Sequence, residues 1–393
     1  MSIMLSIVLL LAAAHLLGWL ATRLRLPDLL GPIAAGVLLG PAVLAWVTPG
    51  PGLSAVSDLA LLLVVVTSGL ELRLESLLKI YGRGGLLRLL PGFVLPAAAG
   101  WLLARGWGLD GRSTTVVMLS LAITALPVAL RILTSFGLMG TRLAHIAIGD
   151  ALLADVLVLI VLGIEPAIAA GGSVAALSGV AAVRLGALLL LVCAAAWLCR
   201  LGARGTHDTW GTLATQPLAA LLLIMALAGA SDALHLHFAI GAFLGALTVS
   251  RYGAGGTRHA LHGRLEAATE LLFAPLFLAT QGLQMIAFDP ANILFTLALT
   301  VVAIAAKLVG GYWTARCYGL RGHEARGVAI MVNARGVMAM VAASIAYRSG
   351  LIGAQLYSAL VTMGVVATAV TLLLLRRWQS TAPAVAATGR SSP

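Results

Sequence analysis

The sequence predicts an all-α polytopic membrane protein of about thirteen transmembrane helices arranged as inverted repeats, and three observations carry that expectation. Of 393 residues, 61% are hydrophobic and only 10% are charged, against roughly 25% charged in a soluble globular domain. The apolar residues fall in runs of about 20, the length that crosses a bilayer as a helix. Two of those runs, one in each half of the chain, carry helix-breaking chemistry at mid-depth.

The runs lie near 3–22, 29–46, 54–72, 85–105, 113–136, 142–165, 174–199, 213–231, 237–250, 266–287, 291–319, 325–347 and 352–375. The first has no positive flank or small-residue cleavage site and reads as a span rather than a signal peptide. The second and ninth are short and glycine-rich. Connections are brief, so consecutive helices are expected to be antiparallel. With the N-terminus outside, sixteen basic residues fall on the inner side and three, Arg105, Arg112 and Arg348, on the outer side. That bias places the C-terminus in the cytoplasm. The formal net charge of +11 is thereby absorbed by topology, and no nucleic-acid partner is expected. Cys193, Cys199 and Cys317 fall in apolar segments without metal-ligand spacing and read as small core residues.

The fifth run contains Thr124-Ala125-Leu126-Pro127. Pro127 removes a backbone donor and clashes with the preceding turn. The twelfth contains Asn333-Ala334-Arg335-Gly336, an amide, a guanidinium and a glycine at similar depth. Non-helical backbone at that depth survives only where it lines a cavity or is buried in protein. Paired interruptions in the two halves of a chain mark the site of a transporter built from repeats.

The sixth run carries two acids, Asp150 and Asp155. Charge within the bilayer is expensive and by default marks an ion or proton site. Asp155, nearest the middle, is the candidate exchanging carboxylate; its bland reading is permanent pairing with a cation as helix glue. Five residues separate the acids, about 140° around a helix, so they do not share a face. Asp150 reads either as part of the site or as a solvated group nearer the cytoplasmic end. Lys307, about a dozen residues or more from either end of the eleventh run, needs an anionic partner or must lose its proton; Asp155 and Asp150 are the candidate partners, and snorkelling to the interface is the bland reading. Thr124 and Asn333 are candidate neutral ligands, or contacts for free helix ends. Arg335 is expected to compensate charge or a helix dipole. His235 and His237 have the spacing of a weak metal pair; no metal, cofactor or enzymatic motif is expected. His207, His259, His262 and His323 read as loop residues.

Together these stretches resemble the monovalent cation:proton antiporter superfamily, in its bacterial sodium/proton antiporter and potassium-efflux branch. The likeness rests on Pro27-Asp28 through Gly31-Pro32 to Gly40-Pro41, on Ser68-Gly69-Leu70-Glu71-Leu72, on Thr124 to Pro127, on Pro275-Leu276-Phe277 with Gly282-Leu283, and on Asn333 to Gly336. It implies two crossed, unwound helices and a transporter unit over 1–378. A core domain would include about 113–199 and 291–375, the remainder forming a scaffold or dimer domain, with 379–393 a disordered cytoplasmic tail. It implies a homodimer in the bacterial inner membrane that exchanges H⁺ for Na⁺ or K⁺, with the ion-binding acid at Asp155 and the core lysine at Lys307. Two departures stand out. Ala154 occupies the place of a polar or acidic residue before the essential Asp, and Ala339 that of a glutamate. Asp150, one turn from Ala154, is the expected substitute. The altered site leaves two alternatives: a proton-coupled carrier of a small organic solute, and a non-transporting membrane sensor.

Overall fold

The computed structural model describes residues 2–23, 30–71, 85–124, 129, 133, 136–138, 141–169, 174–204, 217–234, 236–252, 255–286, 290–335 and 337–380. Every regular element among the described residues is helical. They run α1 Ile3–Arg23, α2 Leu30–Leu39, α3 Pro51–Glu71, α4 Gly85–Gly106, α5 Gly111–Ala122, α6 Arg142–Ala169, α7 Val174–Arg204, α8 Pro217–Ala233, α9 Phe238–Tyr252, α10 Gly255–Ala268, a π-helical turn Thr269–Phe273, α11 Ala274–Leu283, α12 Pro290–Cys317, α13 Gly322–Val332, α14 Val337–Arg348 and α15 Ala354–Ser380.

Among the described residues, five helical stretches are long and apolar enough to cross a membrane unaided: Ile3–Arg23, Pro51–Glu71, Leu87–Gly106, Asn292–Cys317 and Ala354–Ser380. Leu30–Leu39, Gly186–Arg200, Pro217–Ala233 and Phe238–Tyr252 are shorter apolar helices. Both interrupted runs are divided in the described backbone. The fifth ends as a helix at Ala122, and the twelfth is split between α13 and α14. Three expectations need correction. The connection between the ninth and tenth runs, read as a loop holding His259 and His262, is helical from Gly255 onward, and His323 lies in α13. Cys193 and Cys317 are exposed, not core residues, because the outer face of a membrane helix is apolar in sequence yet packs on lipid. Helix α15 reaches Ser380, two residues into the expected tail; residues 381–393 lie outside the described residues.

The chain divides into two compact units. One comprises Met1–Gly82, Val156–Phe288 and Met340–Ser358; the other comprises Arg83–Asp155, Asp289–Ala339 and Ala359–Pro393. In the first unit, Leu10, Leu39, Val47, Leu53, Leu276, Ala279 and Leu283 form a buried cluster. Its tightest contact is glycine on glycine: a Cβ on Gly36 would meet the Ala279 carbonyl oxygen at 1.9 Å, and one on Gly282 the Ile33 carbonyl oxygen at 2.2 Å. Helices α2 and α11 therefore touch backbone to backbone. Nearby, the His15 ring is 2.8 Å from the Leu271 carbonyl in the π-helical turn, a geometry that leaves carbonyls outside the regular helical ladder. In the second unit, α4 packs on α5 and α12, and α12 packs on α13.

Candidate functional site

The second unit holds the site, and it is built from two helix ends. Helix α5 starts on Asp110, whose carboxylate accepts from the backbone N–H of Arg112 and Ser113. It stops at Ala122, where Ile123 turns extended at φ −61° and ψ 138°. The last carbonyls of a helix have no partner within it. Here two cations supply the donors. Arg335 donates to the carbonyls of Ser120 and, at 2.6 Å, Leu121, with a longer contact of 3.3 Å to Ala303. Lys307 donates to the carbonyl of Ala122 at 2.7 Å. Cations at a helix C-terminus also complement its dipole.

Helix α13 stops at Val332, and its last carbonyl accepts from the Thr124 hydroxyl at 2.9 Å. The two interruptions thus satisfy one another. The residue just past α5 serves α13, and a residue just past α13 serves α5. Arg335, Thr124 and Lys307 are all 0% exposed, so water cannot stand in for these bonds, and an unmade one would carry its full desolvation cost.

Lys307 occupies the centre. Its ammonium donates to Gly92 O at 2.8 Å, Ala122 O at 2.7 Å and Asp150 Oδ2 at 3.2 Å. Gly92 is an acceptor for a local reason. In a helix its carbonyl would bond to the N–H four residues on, but that residue is Pro96, which lies inside α4 and has no N–H. Asp150 Oδ2 also accepts from Thr124 at 2.9 Å. The single hydroxyl hydrogen of Thr124 therefore serves two acceptors, the carboxylate and Val332 O.

The other oxygen, Asp150 Oδ1, is buried without a partner among the described residues. It lies against α4, where a Cβ on Gly92 would meet it at 2.0 Å and meet Thr314 Oγ1 at 3.0 Å. Thr314 Oγ1 is also buried without a partner. Glycine is required at 92 because any side chain would occupy the place of the carboxylate.

Of the residues expected from sequence, Asp150, Thr124, Lys307 and Arg335 are brought together here. Asn333 faces elsewhere: its Nδ2 is 2.9 Å from Thr371 Oγ1 and 3.4 Å from Ala367 O on α15. The backbone of Asp155 is helical within α6, but its side chain lies outside the described residues, as do Pro127 and Gly336. Ala154 and Ala339 are buried. His235 lies outside the described residues, and among those described no three His, Cys, Asp or Glu side chains gather as metal ligands. The contributions of Gly92, Pro96 and Thr314 are additions from the structure. For the first two the signal was present, a proline four residues after a glycine in an apolar run.

The site is a buried lysine–aspartate pair between broken helix ends in a multi-pass helical chain. The family model of the sodium/hydrogen exchanger, transmembrane, matches residues 9–377, and the chain belongs to that family, which is one of secondary transporters, not enzymes. It is 27% identical over 371 residues to a Na(+)/H(+) antiporter of Enterococcus hirae, covering 94% of this chain and 96% of the relative. It is 27% identical over 379 residues to the Na(+)/H(+)-K(+) antiporter GerN of Bacillus cereus, covering 94% of each. Among solved structures, the sodium proton antiporter MjNhaP1 from Methanocaldococcus jannaschii at pH 8 superposes with a TM-score of 0.67 at 14% identity, covering 96% of this chain and 98% of the other.

Proposed function

We propose that this chain exchanges a proton for a monovalent cation, Na⁺ or K⁺, by alternating access, with Asp155 as the carboxylate that holds either one. The observation that carries the reading is the Lys307–Asp150 pair at 3.2 Å, buried where α5 and α13 break. A fixed ion pair there keeps the local charge low while a neighbouring acid alternates between proton and cation. Asp155 follows Asp150 by five residues on α6, a rise of about 7.5 Å. The names of the relatives support sodium and potassium as the cargo. One exchanging acid, with Lys307 retained by Asp150, gives one proton per cation and electroneutral exchange.

The rest of the reading follows the same line. The chain forms about thirteen spans as two inverted repeats. In this reading the core domain is the unit Arg83–Asp155, Asp289–Ala339 and Ala359–Pro393, which gains α4 and gives up 156–199 and 340–358 relative to the sequence expectation, and the other unit is the scaffold through which a homodimer forms. The N-terminus is outside and the C-terminus in the cytoplasm of the bacterial inner membrane. The test is proton flux in vesicles under an imposed pH gradient, with Na⁺, K⁺, Li⁺ or Rb⁺ added. Sodium or potassium should collapse the gradient with wild type and not with Asp155→Asn. No collapse by any cation with wild type, or equal collapse with Asp155→Asn, ends the reading.

A further inference from the structure

Where α7 and α9 end, two arginines close on one tyrosine. The Arg200 guanidinium carbon is 4.2 Å from the centre of the Tyr252 ring, and its Nη2 donates to the Tyr252 hydroxyl at 2.8 Å. The Arg251 guanidinium carbon is 5.2 Å from the same ring centre. The two cations therefore stand within about 10 Å of each other. Among the described residues, neither has a carboxylate partner. Two like charges held close to one ring are a receptor for an anion; a guanidinium presents five N–H groups suited to phosphate.

The surroundings say which anion. Trp197, about one turn before Arg200 on α7, is 60% exposed, and Leu190, two turns further back, is 73% exposed. A helix face that runs from exposed leucine through tryptophan to arginine matches the passage from acyl chains to headgroups. Free phosphate has no use for that apolar stem. We propose that Arg200, Arg251 and Tyr252 form a binding site for the phosphate of an anionic phospholipid whose acyl chains lie along α7. The site requires only that α7 and α9 span a bilayer, and it stands whether or not the proposed exchange chemistry is correct.

The test is native mass spectrometry of the full chain in detergent with phosphatidylglycerol and phosphatidylcholine of matched acyl chains. Wild type should retain phosphatidylglycerol over phosphatidylcholine. Interfacial arginines contribute about a fivefold change in anionic-lipid affinity each, so Arg200→Gln with Arg251→Gln should lower that preference by roughly tenfold or more, and Arg200→Gln alone by roughly fivefold. Arg376→Gln with Arg377→Gln, which removes the same charge at the end of α15, should leave it unchanged. Three results overturn the site: an unchanged preference in the Arg200 and Arg251 variants, an equal fall in the Arg376 and Arg377 variant, or loss of phosphatidylglycerol from wild type when millimolar inorganic phosphate is added. Arg200 is exposed, so its single variant keeps the test decisive should the double variant misfold.

Discussion

Thr124 and Arg335 each stand just beyond a broken helix, and each satisfies the end of the other's helix. Thr124 donates to Val332 O at the end of α13, and Arg335 donates to Ser120 O and Leu121 O at the end of α5. The two interruptions are therefore one structural element, and neither can be removed alone without orphaning backbone in the other. Arg335→Ala should destabilise the protein by on the order of 3 kcal/mol or more, since hydrogen bonds to charged groups contribute roughly 1.5–3 kcal/mol each. Arg335→Lys should recover only part, because one ammonium lacks the planar fork that meets two neighbouring carbonyls. Thr124→Val, which breaks a neutral bond to Val332, should cost about 1 kcal/mol through that bond. Thermal unfolding in detergent reads all three, and an Arg335→Ala midpoint equal to wild type would remove the reciprocal-cap account.

Asp110 gives a prediction at the other end of α5. It is the N-cap of that helix, and hydrogen bonding from Ser113, with the N–H of Arg112 adding to it, holds its carboxyl below the ordinary value of 3.8. A depressed carboxyl stabilises the fold above its ordinary pKa and loses that contribution as pH falls through the depressed value. The cap is therefore fully in place at pH 7 and fades only in acid below 3.8. Asp110→Ala should cost about 1 kcal/mol at pH 7. Asp110→Asn should keep most of the cap and flatten the acid limb of the stability curve. A wild-type acid limb that Asp110→Asn reproduces would assign it to other carboxylates.

Much of this site was legible because charge in an apolar run is conspicuous. Lys307, Asp150 and Arg335 stood out for that reason, and Thr124 because it precedes Pro127. The partners were harder to read. Asn333 looked like a ligand from its place beside a helix break, yet it turns to Thr371 and Ala367. Sequence shows that a helix end leaves groups unsatisfied but not which neighbouring helix offers a partner. Gly92 was hidden for a different reason: it acts through its carbonyl, which every residue has. Only Pro96, by withholding an N–H, marks that carbonyl as free. The exposed Cys193 and Cys317 show the same limit on the lipid side, where an apolar sequence is equally consistent with core and with membrane.

Pro96→Ala tests that hidden relationship. Alanine restores an N–H at position 96, so Gly92 O can return to the α4 ladder and Lys307 loses an acceptor. Helix α4 itself should gain, since proline in a helix interior costs about 3 kcal/mol. The expected signature is a thermal midpoint equal to or above wild type together with reduced proton exchange in vesicles. Pro91→Ala is the comparator: Pro91 also lies inside α4, but it frees the carbonyl four residues before it, away from Lys307. Should Pro96→Ala exchange as fast as wild type, the Gly92 carbonyl is incidental to Lys307. Gly92→Ala, in contrast, should lose both stability and exchange, because its Cβ would stand 2.0 Å from Asp150 Oδ1.

The sharpest question concerns Asp150, which is the acid beside Lys307 while Ala154, one turn on, contributes no polar group. Asp150→Asn leaves a buried ammonium without its counter-charge, and breaking a buried pair by removing one partner typically costs 3–5 kcal/mol. Lys307→Met alone leaves the carboxylate unpaired and should be similarly damaging. The double variant removes both charges and should recover most of the stability, since apolar replacements of buried pairs are often neutral. A recovery of that kind is the coupling expected of residues in direct contact. Transport then separates structure from function. If the pair only holds helices together, the stable double variant exchanges cations with the pH dependence of wild type. If it balances the charge at Asp155, the double variant folds and yet its exchange is lost or its pH profile moves. Vesicle flux on the double variant distinguishes these outcomes, and retained wild-type exchange would falsify the role proposed for Asp150 and Lys307.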